Sequence, residues 1–350
     1  MRTPPAQRAA VRPKPQPEQP PKLPAGVIVN PNLPVTQTTA GPVQGYRALS
    51  ASSSTKTDTA IERIPQSIQV IPRSVVDDQK SLTVTDVLRN VSNVQGPDNR
   101  MIANTDPQPL KIRGFGAEQW LDGLPVFYNT GDRDTFANVE RIEVLKGPSA
   151  ILYGGAAGAP IGGAVNIVSK LPTDVARAEA GFKFGSYSFL QSYFDVNQPL
   201  TKDGTALFRF TGEYTSANSS VDVLHLDRYS FNPTLTLTNK EDTTFTIQGQ
   251  ASRFTQQAYP GLPVMGTIAG SFRLDPNLYV GPSNIPRSYT EVQSITTHLD
   301  HSFNEIFSAD VKARVSQSKF EQNSQLLSGA GGSAIVPLVG DSVWALANSQ

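Results

Sequence analysis

Ala206-Leu-Phe-Arg-Phe-Thr-Gly-Glu-Tyr214 alternates without a break. In an extended chain successive side chains point to opposite faces. Ala206, Phe208, Phe210, Gly212 and Tyr214 therefore share one face, and Leu207, Arg209, Thr211 and Glu213 share the other. Phe245, Ile247, Gly249 and Ala251 alternate in the same way with Thr244, Thr246, Gln248 and Gln250. Similar runs cover 179–187, 191–199, 229–238, 290–303 and 307–320. Short turn sequences, Thr201-Lys-Asp-Gly204 and Asn239-Lys-Glu-Asp242, alternate with longer connections, of which 256–290 is too long for a hairpin. Strands of about ten residues, tight turns at one end and long loops at the other are the pattern of an antiparallel transmembrane β-barrel. A soluble β-sandwich shares the period. Small and aromatic residues on one face, with hydroxyls and amides on the other, favour the barrel.

Upstream the texture differs. Ser67-Ile-Gln-Val-Ile71, Pro109-Leu-Lys-Ile-Arg113, Val139-Glu-Arg-Ile-Glu-Val144 and Ala164-Val-Asn-Ile-Val168 read as strands. Thr83-Val-Thr-Asp86 reads as a helix start, with Val87, Leu88 and Val91 on one face behind it. Gly147-Pro-Ser-Ala-Ile-Leu-Tyr-Gly154 offers a further short helix, with proline early and glycine after. Together these predict a compact α+β domain over about 58–172. Before it, ten of the 28 prolines fall between Pro4 and Pro34, and five basic residues face a single acid, Glu18. Such a stretch cannot bury a core, so residues 1 to about 45 read as a disordered, semi-rigid arm.

Composition narrows the functions. Thirty basic and thirty acidic residues argue against a nucleic-acid partner, and the absence of cysteine removes thiolate metal sites, disulfides and cysteine nucleophiles. No run of about 18 apolar residues exists to form a membrane-crossing helix. The first residues carry positive charge without an apolar segment behind it, so no secretory signal is visible. The glycine-rich stretch 154–163 has neither the Gly-Lys-Ser/Thr of a phosphate loop nor a dinucleotide spacing; its glycines read as tight turns between packed segments. His298 and His301 point to opposite faces of a strand and cannot share a metal there; only His225 remains besides them. No catalytic constellation stands out, and neither enzyme activity, nor a metal site, nor a cofactor is expected.

Several segments, in order, resemble the plug domain of TonB-dependent siderophore receptors. They are Thr57-Asp-Thr-Ala60, Ile64-Pro-Gln-Ser-Ile-Gln-Val-Ile-Pro72, Val84-Thr-Asp-Val-Leu88, Ile112-Arg-Gly-Phe115 and Leu121-Asp-Gly-Leu-Pro125. Val139-Glu-Arg-Ile-Glu-Val-Leu-Lys-Gly-Pro-Ser-Ala-Ile-Leu-Tyr-Gly154 and Gly162-Gly-Ala-Val-Asn-Ile-Val-Ser-Lys-Leu-Pro172 complete the set. The resemblance implies a periplasmic arm (1–57), a plug (58–172) and the first part of an outer-membrane barrel (173–350). The family barrel has 22 strands, whereas the residues after Pro172 suffice for seven or eight, so a truncated barrel is expected.

The implied function is uptake of a ferric siderophore across the outer membrane of a Gram-negative bacterium. It would be energised by the proton-motive force through TonB, with ExbB and ExbD, and carried out by a monomer. Haem or cobalamin are the alternative cargoes, and a non-transporting remnant or a plug-bearing binding protein the alternative roles. Similarity to ferric hydroxamate (ferrichrome) receptors implies ligand contacts from Arg100, Gln119, Trp120, Phe127 and Tyr128, although packing is an equal reading for the aromatic residues. Arg113 and Lys146 match basic residues that lock the plug to barrel glutamates. In the family those acids come late in the barrel, beyond residue 350, which predicts a destabilised plug. Val27, Ile28 and Val29 form the only short β-prone run in the arm and are the candidate TonB box.

Overall fold

The computed structural model describes residues 43, 45–55, 60–95, 110–126, 135–147, 161–329 apart from 258, 260, 264, 265, 281, 282 and 305, and 342–349. Residues 1–42, with Val27–Val29 among them, the candidate helix at 147–154 apart from Gly147, and Arg100, Phe127 and Tyr128 lie outside them, whereas 45–55, at the end of the expected arm, are described, with Ala51 and Ser53 buried.

The first sheet forms from short strands. A helical turn, α1 (Ser52–Thr55), and a 3-10 turn (Ile61–Arg63) lead into β1 (Ser67–Pro72), α2 (Arg73–Asp78) and α3 (Val84–Leu88). There follow β2 (Val94–Gln95), β3 (Leu110–Ile112), β4 (Phe115–Leu121), β5 (Leu124–Pro125), β6 (Val139–Lys146) and β7 (Gly163–Ser169). Their order is β1-β6-β7-β4-β3-β2, with β5 paired to β4. Only the β4–β7 pair is parallel.

α3 starts where the sequence places it. The Thr83 hydroxyl accepts the Asp86 N–H at 3.1 Å and the Asp86 carboxylate accepts the Thr83 N–H at 3.2 Å, a reciprocal capping box. Val84, Val87, Leu88 and Val91 then pack on Ile112, Ile142, Val144 and Val165. Two turns are written in the motifs. Arg113 and Gly114 both take positive φ, as do Asp122 and Gly123, so each pair makes a type I′-like two-residue hairpin, of β3 with β4 and of β4 with β5.

β6 alternates in sequence, yet all eight of its residues are buried. α3 packs over the face of Ile142 and Val144 and α1 sits on the opposite face at Glu143, so the charged residues of β6 are enclosed with their partners. Arg141 Nε lies 2.8 Å from Glu143 Oε1, and Glu143 Oε2 accepts hydrogen bonds from the backbone N–H and the hydroxyl of Ser53 on α1. Burial pushes the Glu140 carboxyl above its usual range, against the pull of Lys170, Arg209, Arg73 and Arg141.

The second sheet is an eight-stranded antiparallel meander in which each strand pairs with the next. Its strands are β8 (Arg177–Gly185), β9 (Phe189–Pro199), β10 (Ala206–Asn218), β11 (His225–Thr238), β12 (Thr243–Gln256), β13 (Ser288–Ser302), β14 (Ser308–Gly329) and β15 (Ser342–Ser349). Seven of these coincide with the alternating runs; β15 does not correspond to any of them. Its polarity is the reverse of a soluble protein's. The polar row Thr211, Glu213, Thr215, Arg228, Ser230, Asn232, Thr234, Thr246 and Thr296 is buried. The opposite row, including Phe182, Phe184, Phe231, Leu237, Ile295, Val311 and Val315, is exposed. A sheet in water would hide the second row, whereas a sheet in lipid can leave it out. On that outward face Phe194 and Phe210 meet edge-on at 4.9 Å between ring centroids, and Phe231 joins them at 6.4 Å from each. Gly212 lies beneath these rings, where a Cβ would come within 2.4 Å of Phe194.

Candidate functional site

The inward face of the second sheet meets the first sheet along a polar seam, and three arginines of the wall span it. Arg314 on β14 donates to the Leu121 carbonyl at 2.9 Å and to the Thr296 hydroxyl at 2.8 Å. Arg228 on β11 donates to the Leu82 carbonyl at 3.3 Å and lies 3.2 Å from Glu213, which also accepts a hydrogen bond from Gln191 at 2.9 Å. Arg209 on β10 donates to the Leu171 carbonyl at 2.8 Å and grips both oxygens of Asp195. The second cation on Asp195 is Lys170, at 2.7 Å, in the segment that follows β7. Burial, with Arg73 adding to it, pushes the Lys170 ammonium below the usual lysine value, while Asp195 opposes the shift. Each of these arginines reaches a backbone carbonyl of the first sheet's unit or of its exit segment. A charged donor on a carbonyl is worth about 1.5–3 kcal/mol, more than a neutral pair.

Beside the Arg314 contact the two sheets part and leave a cavity of about 840 Å³. Gln119 and Asp122 line it from the first sheet; Asn232, Gln248, Ser294 and Arg314 line it from the wall. Asp122 is held in place by the turn it belongs to: its carboxylate accepts the Ser169 N–H at 2.7 Å and hydroxyl at 2.8 Å, while Gly123 donates to Asn166 at 2.9 Å. The lining offers amides, hydroxyls and one guanidinium on a partly apolar floor of Leu121, Leu124 and Ile167. Such a lining suits a polar, oxygen-rich solute.

Of the residues singled out in the sequence, Gln119 is buried and lines this cavity. Trp120, its neighbour on β4, points the other way. It is 5% exposed, packs with Leu145 and Ala164, and donates to Glu118 at 3.2 Å. The two therefore do not act on one ligand from the same side of the strand. Arg113 stands exposed in its hairpin turn and Lys146 is buried, donating to Ser92 at 3.0 Å. Burial and the nearby Arg113 charge push Lys146 below its ordinary value. No ion pair joins either to a carboxylate among the described residues. The pair thus shows two neighbouring cations and one buried ammonium. Arg209, Arg228 and Arg314 were not among the sequence candidates. Their signal was an arginine on the hydroxyl-rich face of an alternating strand, present for Arg209 and, within the run 307–320, for Arg314.

Residues 60–160 match the family model of the TonB-dependent receptor plug domain. The chain is 33% identical over 296 residues to the ferrichrome outer membrane transporter/phage receptor of Escherichia coli (strain K12), a match covering 81% of this chain and 39% of that protein. It is 31% identical over 270 residues to a metal-pseudopaline receptor of Pseudomonas aeruginosa, covering 77% and 37%. Among solved structures, the ferric-catecholate import receptor of E. coli K12 in its closed form aligns with a TM-score of 0.74 at 20% identity, over 88% of this chain and 44% of that one. The pyoverdine outer membrane receptor of P. aeruginosa bound to pyoverdine aligns with a TM-score of 0.72 at 21% identity, over 81% and 42%. The chain spans less than half the length of the curated relatives it matches.

Proposed function

The chain belongs to the TonB-dependent siderophore receptors, and from that premise we propose that it serves uptake of a ferric siderophore across the outer membrane of a Gram-negative bacterium. The observation that carries this reading is the pairing of an inward polar wall, clamped by arginines to the plug sheet, with an outward apolar face. That pairing is what a plugged barrel in lipid requires. The division into an arm over 1–57, a plug over 58–172 and barrel strands from 173 is part of the proposal.

The ferric hydroxamate class is the proposed cargo, since the ferrichrome transporter is a relative at 33% identity. Its oxygen-rich surface would meet Gln119 in the plug–wall cavity, with Arg100, Phe127 and Tyr128 as further proposed contacts; the burial of Trp120 supports packing over ligand contact. Arg113 and Lys146 are proposed to dock on acids of the barrel. Val27, Ile28 and Val29 are proposed as the segment that adds a strand to TonB. TonB would act with ExbB and ExbD, drawing on the proton-motive force, with the receptor as a monomer.

The coding region is to be expressed in a bacterium lacking its own ferrichrome receptor and grown with ferrichrome as sole iron source. Growth that disappears in a strain without TonB supports the proposal. Binding of ferrichrome by the purified chain, seen as fluorescence quenching, without any TonB-dependent growth would replace it with a binding role.

A further inference from the structure

At the short-turn end of the wall, the inward face carries a cluster that the transport reading does not use. His298 and Asp300 lie two residues apart on β13, so their side chains share that face. Asp310 on β14 is the direct cross-strand partner of Asp300. One ligand atom from each of the three lies within 4.8 Å of the others, and His298 Nε2 is 2.5 Å from Asp310 Oδ2. Asp300 is 8% exposed, and its Oδ2 is buried without a hydrogen-bond partner.

Two carboxylates directly opposite each other repel, and a buried carboxylate oxygen without a partner is costly. His298 reaches Asp310 and leaves the Asp300 Oδ2 oxygen without a partner. Lys312, opposite His298, is exposed. A cation held by all three groups answers both charges at once. We propose that His298, Asp300 and Asp310 bind a divalent transition-metal ion of the zinc class, which staples β13 to β14 on the lumenal rim of the barrel. One imidazole with two carboxylates selects such an ion over calcium or magnesium, which take oxygen ligands alone. The site was not legible from the histidines: His301 lies on the outward face, its ring against Phe303 and bonded to Thr243. The third ligand comes from the next strand.

The test uses the full chain in detergent micelles, dialysed against zinc chloride and followed by metal content and thermal unfolding. The wild type is expected to bind one zinc ion with micromolar affinity and to unfold at higher temperature when loaded. H298A and D310N are each expected to weaken binding at least tenfold, and H301A to leave it unchanged. D300N separates a metal site from a structural cluster. It should lose the zinc-dependent shift while unfolding at a higher temperature than the metal-free wild type, since the buried charge is gone. A wild type without zinc-dependent stabilisation, an H298A variant that keeps it in full, or calcium competing on equal terms with zinc would overturn the proposal.

Discussion

Gly163 shows how much one residue can decide. Its φ is +126°, and a Cβ there would overlap the Leu145 carbonyl of the neighbouring strand. Gly162 meets three carbonyls of the β3–β4 hairpin in the same way. The glycine pair lets β7 run between β6 and β4 at backbone distance, so these two glycines are a packing device. G163A is expected to destabilise the plug by about 1–3 kcal/mol, the range for strained backbone, read as a lower thermal midpoint. Glu143 decides a second contact. E143Q would remove the carboxylate that lies 2.8 Å from the buried Arg141 guanidinium and should cost about 3–5 kcal/mol. Faster hydrogen exchange over residues 52–55 should accompany it, because Ser53 anchors α1 on that carboxylate. Unchanged exchange there would separate α1 from the core charge pair.

At the scale of elements, the plug is held by wall strands already present in this chain. The expected destabilisation of the plug rested on locking acids for Arg113 and Lys146. Arg209, Arg228 and Arg314 supply a different set of contacts, to backbone carbonyls of residues 82, 121 and 171. R314M is expected to lower the urea midpoint for unfolding of the plug, followed by tryptophan fluorescence, by an amount worth about 1.5–3 kcal/mol. R253M, on the outward side of β12, should leave it unchanged; equal loss from both would deny the clamp a special role. Lys146 gives a pH test. Its folded value lies below its unfolded one, so charging it penalises the folded state. The penalty is full below the folded value and vanishes as pH rises to the ordinary lysine value. K146M is therefore expected to stabilise the plug most at neutral pH, with the advantage over wild type shrinking as the pH climbs toward that value.

For the whole molecule, the reversed polarity of the second sheet is the deciding property. Ile295 is 59% exposed on the outward face while Thr296, next to it, is 5% exposed against the plug side. I295R puts a charge where lipid is expected and should cost about 2–4 kcal/mol at mid-depth. The readout is the fraction of chain that inserts into phospholipid vesicles and resists protease. Insertion equal to wild type would place Ile295 outside the apolar band. The same arrangement leaves the inward face free to carry charge, as Arg209, Glu213, Arg228, Asp300 and Arg314 do there.

Much of this architecture was legible in the chain itself. Period-two alternation marks seven of the eight wall strands because each has one lipid face and one wet face. In Leu121-Asp-Gly-Leu-Pro125 the Asp-Gly pair suits two successive positive φ values, whereas Arg113, read as strand, takes up the turn before Gly114. Thr83 and Asp86 likewise mark a helix start. Tertiary structure decided the rest. β6 alternates in sequence yet is buried on both faces, since burial depends on what packs above it. Gln119 and Trp120 are neighbours in the chain but face a cavity and a core. The arginine clamps end on carbonyls, which every residue has, so no plug side chain announces them. The cluster of His298, Asp300 and Asp310 depends on strand register, and register brings together residues that sequence spacing alone does not pair.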